Sequence, residues 1–374
     1  MNDSLDQLIE ISRFYGDNPD YVIAGGGNTS YKDAETLWIK ASGIPLAGIS
    51  KDGFVSLSRK GLEAIEHGKF NKDPVLREEE VKARMKEAIL SPQNLRPSVE
   101  TSLHNLIDYA FVIHTHPTLV NALMCSRDVE KEVEARFGGQ ALLVEYTDPG
   151  FVLFKKLQGR IKSYRETQGK SPQIIFLQNH GVFVGADTVE EIKALYEEIV
   201  RKIAHGRDLS LPSREISSYR TEVTESIAAY YASRSLLSRS VTSQLISFFT
   251  ASQNSLERVS KPFSPDIIVY CKSSYLILER SVHVEEIKAA VEDFESRQGY
   301  LPKVILHEGG GLTVAEESEK SLQTVLEVFQ DLMKISYLSE QFGGPHFMTP
   351  EQIRFIDNWE VEHYRRKVAK SNGV

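Results

Sequence analysis

The chain has 374 residues, 41% of them hydrophobic and 26% charged, the balance of an ordinary soluble globular protein with room for one large domain or two of usual size. A formal net charge of -8 argues against nucleic acid or an anionic membrane as the main partner, because both call for a basic face. With only two cysteines, Cys125 and Cys271, neither a disulfide framework nor a cysteine zinc cluster is expected.

Residues 1–20 carry acidic and polar residues throughout and show no cationic start followed by an apolar core, as a secretion leader would. No later stretch approaches the roughly 20 apolar residues of a membrane span, so a reducing cytoplasm is the expected compartment. Residues 3–15 read as an amphipathic helix capped by Asp3 or Ser4, with Leu5, Leu8, Ile9, Ser12 and Phe14-Tyr15 at helical spacing. The glycine-rich turn Ala24-Gly25-Gly26-Gly27-Asn28-Thr29-Ser30-Tyr31 leads into a strand, and Leu37-Trp38-Ile39-Lys40 completes a hairpin that ends at Ala41-Ser42-Gly43. Backbone N–H groups at such glycines can approach an anion closely, although a plain turn has the same composition. Neither G-x-G-x-x-G nor G-x-x-x-x-G-K-[ST] is present, so nucleotide binding is not supported.

Helices are expected over residues 59–67 and about 73–90, with Arg77-Glu78-Glu79-Glu80 as a solvated face and His67 at a surface helix end. Pro97-Ser98-Val99-Glu100-Thr101-Ser102-Leu103-His104 opens another helix, with Ser98 as N-cap and Glu100 and His104 on one face. Phe111-Val112-Ile113-His114-Thr115-His116-Pro117 follows after a short connection. In a strand, positions i and i+2 share a face, so the two imidazoles would project together, as in a metal chelate. Helices over 117–124, 127–136 and 151–165 and a strand over 141–146 come next. Ile174-Ile175-Phe176-Leu177-Gln178-Asn179-His180-Gly181 is a second apolar strand ending on a histidine, and it forms a hairpin with Val182-Phe183-Val184. Three imidazoles with an open position would make a catalytic zinc-type site. Asp187 or Thr188 caps a helix running to 204, with Ile192, Leu195, Ile199 and Ile203 on its buried face.

Beyond this α/β region, residues 211–260 read as a helical connector, with helices over 221–233 and 235–251. Residues 261–374 form a smaller α/β region, with strands at 267–270, 275–278 and 303–306 and a helix at 283–296. An internal echo pairs His180-Gly181-Val182-Phe183-Val184 with Gly310-Gly311-Leu312-Thr313-Val314, and Ile192, Leu195 and Ile199 with Leu322, Val325 and Phe329. It makes the C-terminal region a degenerate half-repeat without the metal ligand, or else a chance likeness of two strand-turn-helix units.

Taken together, Gly27-Asn28-Thr29-Ser30, Lys40-Ala41-Ser42-Gly43, Pro97-Ser98-Val99-Glu100 with His104, His114-Thr115-His116-Pro117 and Asn179-His180-Gly181 resemble the class II aldolase/adducin family. Within it the chain is most like the aldolase half of bifunctional rhamnulose-phosphate aldolase/dehydrogenase proteins. That likeness continues through Ser264-Pro265-Asp266, Leu306-His307-Glu308-Gly309-Gly310-Gly311-Leu312 and Asn358-Trp359-Glu360-Val361-Glu362. The dehydrogenase half of those proteins would follow the end of this chain, so no nicotinamide chemistry is expected.

The resemblance implies a layered α/β/α catalytic domain over residues 1–210 with a mixed, mainly antiparallel sheet. It implies a divalent metal, foremost Zn2+, on His114, His116 and His180, with Glu100 as acid/base. Asn28, Thr29, Ser42, Gly43 and Ser98 would lie at a substrate phosphate. Val99 stands where those aldolases usually carry a second serine, and Lys40 could supply compensating charge. The expected partner is a small sugar phosphate, and the expected assembly a homo-oligomer, a tetramer whose sites lie between subunits. The family's catalytic tyrosine comes from a neighbouring subunit and has no aligned counterpart here; Tyr146 is nearest by sequence and reads better as a core or rim tyrosine. The expected reaction is retro-aldol cleavage of a rhamnulose- or fuculose-like ketose 1-phosphate to dihydroxyacetone phosphate and an aldehyde, with the metal as Lewis acid toward the enediolate. A 4-epimerase, a dehydratase and a non-catalytic adducin-like module are the alternatives.

Overall fold

A computed structural model describes residues 2–358, so the Trp359-Glu360-Val361-Glu362 part of the resemblance lies outside the described residues. Two compact units are present. Among the described residues, the first comprises the chain up to Met124 together with Val129–His205; the second comprises Cys125–Asp128 and the chain from Gly206 onward.

In the first unit the chain runs α1 (Asn2–Gly16), β1 (Asn28–Lys32), β2 (Thr36–Lys40), β3 (Phe54–Ser58), α2 (Arg59–Glu66), α3 (Pro74–Glu87), β4 (Ile89–Ser91) and α4 (Thr101–Leu106). It continues through β5 (Phe111–Thr115), α5 (Thr118–Met124), α6 (Val129–Phe137), β6 (Ala141–Val144), α7 (Phe151–Gln168), β7 (Ile174–Leu177), β8 (Gly181–Ala186) and α8 (Val189–Ala204). The strands form one sheet in the order β4-β3-β2-β1-β5-β8-β7-β6. Only the pair β6 and β7 is parallel, joined by the crossover helix α7.

Period-two alternation sorts the two faces. Leu37, Ile39, Val55 and Leu57 pack on Leu62, Ile65, Val81 and Met85 of α2 and α3, while Val112, Ile175 and Phe183 pack on Leu153, Phe154 and Leu157 of α7. On the opposite side lie α1, which buries Leu8, Ile11, Ser12 and Tyr15, and α8, which buries Ile192, Tyr196, Ile199 and Ile203. The rings of Tyr15 and Tyr196 sit 4.5 Å apart between those two helices. Each fully buried large aliphatic or Phe side chain contributes roughly 1.5–3 kcal/mol, which fixes β5 and β8 in the middle of the sheet.

Three local readings are corrected. The helix expected to 90 stops at Glu87, and Ile89–Ser91 pairs with β3 as an edge strand; β3 itself, with Phe54-Val55-Ser56-Leu57-Ser58 in alternation, was not expected. Glu78 is not purely a solvated charge: its carboxylate accepts from the N–H of Phe151, the first residue of α7, at 3.2 Å. Ser98 is not the N-cap of α4, which starts at Thr101 with Glu100 in the cap position; the Ser98 hydroxyl instead accepts from the Glu100 N–H at 3.2 Å.

The second unit contains β9 (Ser217–Ser218), α9 (Glu222–Ser233), β10 (Leu237–Thr242), α10 (Gln244–Thr250), α11 (Gln253–Glu257), α12 (Pro265–Cys271) and β11 (Leu276–Leu278). It ends with α13 (Ile287–Gln298), β12 (Val304–His307), β13 (Leu312–Glu316), α14 (Glu319–Ser339) and α15 (Pro350–Asn358). Its sheet runs β11-β12-β13-β10-β9. Residues 211–260 are therefore not a purely helical connector: within the expected helix 235–251, Leu237–Thr242 forms a strand paired with β13, and Ser243 caps the helix that follows. The expected strand at 267–270 is helical, because Pro265 opens a helix and Ile267, Ile268, Val269 and Cys271 are buried all round; a short apolar run carries no period that separates the two states.

The internal echo coincides with matching registers. Ile174 opposes Val184 and Phe176 opposes Val182; Val304 opposes Val314 and Leu306 opposes Leu312 at the same offset. No helix among the described residues is long and apolar enough to cross a membrane.

Candidate metal centre

The middle of the sheet supplies the site. On β5, His114 is fully buried, stacked 4.1 Å from the ring of Phe183, and its Nδ1–H donates to the Val182 carbonyl at 3.0 Å. That bond fixes the tautomer and leaves Nε2 with its lone pair, suited to a ligand role. Thr115 points the other way, its hydroxyl bonded to Tyr196 of α8 at 2.6 Å. His116 returns to the first side and brings its Nε2 to 2.9 Å from that of His114.

His180 arrives from the β7–β8 turn, which Asn179 makes by adopting φ 55, a left-handed conformation Asn tolerates. The residue after it must be glycine: a Cβ at Gly181 would lie 2.5 Å from the Thr115 carbonyl oxygen and 2.7 Å from the His116 ring. Gly27 plays a similar part on the other neighbour of β5, with φ 66 and room for no Cβ against the His114 carbonyl.

The ligand nitrogens of His114, His116 and His180 all lie within 4.8 Å of one another. A tetrahedral zinc with Zn–N bonds of about 2.0–2.1 Å places its nitrogens about 3.3 Å apart, inside the range these imidazoles span. Burial pushes the His114 pKa well below its ordinary value, so the ring is neutral, as a metal ligand must be.

Glu100 reaches the same point from α4. Its Oε2 accepts from the Asn28 amide at 2.5 Å. Its Oε1 is buried without a hydrogen-bond partner and lies 3.6 Å from Nε2 of both His114 and His180. A buried carboxylate oxygen left unpaired among three imidazoles is the arrangement a bound cation would satisfy. Burial works against the charged form of Glu100; the amide of Asn28 opposes that, and positive charge at the imidazole cluster, such as a bound cation would bring, lowers the carboxyl pKa.

The other expected site residues divide. Asn28 faces Glu100, whereas the Thr29 hydroxyl pairs at 2.7 Å with Ser12 of α1, on the far side of the sheet. The segments that carry Ser42 and Ser98 are joined through the backbone of their neighbours, by an Ala41–Pro97 bridge and a 2.8 Å bond from Ser42 N–H to the Arg96 carbonyl. The Lys40 ammonium is buried and donates to the Ile44 carbonyl at 2.7 Å. Tyr146 is half-buried with its hydroxyl beside the Asp148 carboxyl, and its N–H donates to Gln178, two residues before His180, at 3.2 Å.

Sequence reading missed Ser30 and Lys32. Both follow Asn28 at period two on β1 and contact His104: Ser30 Oγ lies 2.7 Å from its Nδ1, and the Lys32 ammonium donates to its carbonyl at 2.8 Å. The alternation Asn28, Ser30, Lys32 was the available signal.

Residues 6–204 match the family profile of the class II aldolase and adducin N-terminal domain, and the chain belongs to that family. Two curated relatives share this half. An L-fuculose phosphate aldolase of Methanocaldococcus jannaschii is 24% identical over 197 residues, covering 49% of this chain and 85% of the relative. The uncharacterized oxidoreductase YuxG of Bacillus subtilis is 26% identical over 195 residues, covering 50% of this chain but only 27% of YuxG. Among solved structures, the N-terminal class II aldolase domain of a conserved protein from Thermoplasma acidophilum is 27% identical, with a TM-score of 0.46 over 54% of this chain and 93% of the domain.

Proposed function

We propose that the chain is a metal-dependent class II aldolase that cleaves a rhamnulose- or fuculose-like ketose 1-phosphate to dihydroxyacetone phosphate and an aldehyde. The observation that carries this is the unpaired Glu100 Oε1 standing 3.6 Å from two of the three converging imidazoles. His114, His116 and His180 would hold the cation, foremost Zn2+, which when bound polarises the ketose carbonyl and offsets the charge that develops as the C–C bond breaks. In the cleavage direction the hydroxyl that becomes the aldehyde gives up its proton, Glu100 takes up a proton, directly or from solvent, and delivers it to the carbon that keeps the electron pair; in the reverse direction the Glu100 carboxylate removes that proton and the aldehyde oxygen regains one. At the phosphate end, the backbone N–H groups of the glycine turn and the hydroxyls of Ser42 and Ser98 would anchor the substrate. Val99 leaves that cradle one hydroxyl short. The likeness to an L-fuculose phosphate aldolase supports the sugar-phosphate class. The second unit, with matching registers but Gly310 in the place of His180, serves as a metal-free half-copy in support of the first.

Product analysis tests the reading. Zinc-loaded protein is incubated with a panel of deoxyketose and pentulose 1-phosphates, and the products are read by NMR. Dihydroxyacetone phosphate plus an aldehyde supports the aldolase. A single epimer or a dehydrated ketone would replace it with an epimerase or dehydratase, and no turnover of any substrate by stoichiometrically metal-loaded protein would refute an enzyme of this class.

A further inference from the structure

We infer that Ser30, His104 and Asn28 form a hydrogen-bond relay of fixed direction that positions the Glu100 carboxylate, with His104 as a positioning residue. The catalytic consequence rests on the aldolase reading; the geometry does not.

Each step of the relay is forced by the one before it. The Asn28 group 2.5 Å from Glu100 Oε2 is the amide NH2, which can only donate. That turns the Asn28 carbonyl oxygen toward His104 Nε2, with which it is in contact. The carbonyl can only accept, so Nε2 carries the ring proton. Burial holds the His104 pKa down to about 3, so the ring has one proton and Nδ1 is bare. Ser30 Oγ, 2.7 Å from Nδ1, therefore donates. All dipoles point toward Glu100.

Nothing else can take these places. Ser30 and His104 are fully buried, and Asn28 and Glu100 are 5% and 7% exposed, so water has no access with which to substitute for a lost partner. The Lys32 ammonium on the His104 carbonyl and the edge-on packing of the His104 ring with Phe183, centroids 5.4 Å apart, hold the ring in place. With Oε2 committed to Asn28, the carboxylate is fixed with Oε1 toward the imidazole cluster. Asn28 is thereby engaged with the acid/base and turned away from a phosphate role.

Two measurements on the full chain test the relay. In protein labelled with [15N]histidine at neutral pH, His104, assigned by its loss in His104→Gln, should be neutral with the proton on Nε2. Ser30→Ala should move the Nδ1 signal toward that of an unbonded ring nitrogen. A proton on Nδ1, or a cationic ring, would overturn the relay whatever the reaction. In kinetics, His104→Phe should lower kcat by about 10–100-fold, the usual cost of losing an outer-shell partner, with KM and zinc stoichiometry unchanged. His104→Gln, which keeps an N–H for Asn28, should recover most of that loss. Equal losses in the two variants, or none, would overturn the positioning role. If the wild-type chain releases no dihydroxyacetone phosphate, the proposed function fails, and the tautomer with its response to Ser30→Ala decides the relay alone.

Discussion

Replacing Gly181 by alanine separates damage to the metal centre from damage to the fold. The added Cβ would stand 2.5 Å from the Thr115 carbonyl oxygen and 2.7 Å from the His116 ring, where 3.0 Å is the least that real Cβ atoms show. Strand β8 or the Thr115 backbone must therefore move by about 0.5 Å, the tolerance within which a ligand set has to be held. Overpacking of this kind costs about 1–3 kcal/mol, and for a unit of about 200 residues each kcal/mol lowers Tm by roughly 2–4 °C. Gly185→Ala on the same strand is the control: its Cβ would meet Tyr109 at 2.8 Å and Ile107 at 3.0 Å, at the end of β8 away from the histidines. Both variants should melt earlier in differential scanning calorimetry. Only Gly181→Ala should weaken zinc, by about tenfold or more in chelator competition, since losses of 10–100-fold follow from disturbing the surroundings of a ligand. Equal zinc affinities in the two variants would refute the claim that Gly181 shapes the triad.

Glu100→Gln should retain stoichiometric zinc, because all three imidazoles remain, yet lose about 10²–10⁴-fold in kcat, the usual range for a general acid/base; metal analysis and steady-state kinetics check the two halves. Removing the metal with a chelator should lower Tm, since a ligand at 100 times its Kd stabilises the folded state by about 2.7 kcal/mol, and His114→Ala should abolish that difference. Lys32 gives a pH signature: burial first, and the Arg59 charge second, lower its amine from 10.5 to about 7. Between those values the unfolded chain binds the extra proton, so stability rises with pH across the window. Lys32→Met removes that titration, and its Tm relative to wild type should fall as pH goes from 7 to 10; a constant difference would show that the buried amine does not titrate there.

What could be read from the sequence is what depends on short spacing. His114 and His116 share a side because a strand alternates, and His180 follows from an apolar strand that must turn at Asn179-His180-Gly181. The same alternation, applied to β1, separates Thr29 from Asn28, and the structure places the Thr29 hydroxyl on Ser12. The bond between Asn28 and Glu100 spans 72 positions, and no local pattern encodes which buried carboxylate an amide will meet. The helix expected over 235–251 failed for a related reason: Leu237–Thr242 is a strand only because β13 offers it a partner, and serine-rich segments carry weak intrinsic preference. Glu78 looked like one charge among several, and its role at the start of α7 depends on the loop that precedes Phe151.

The most direct test of the central claim is a zinc titration of chelator-stripped protein in which dihydroxyacetone phosphate release from a ketose 1-phosphate is followed as metal is added. The account expects the rate to rise in proportion to bound zinc, to level off at one ion per chain, and to stay near zero in Glu100→Gln at full occupancy. Release that is independent of added metal, or a fully loaded wild-type chain that releases none, would contradict it.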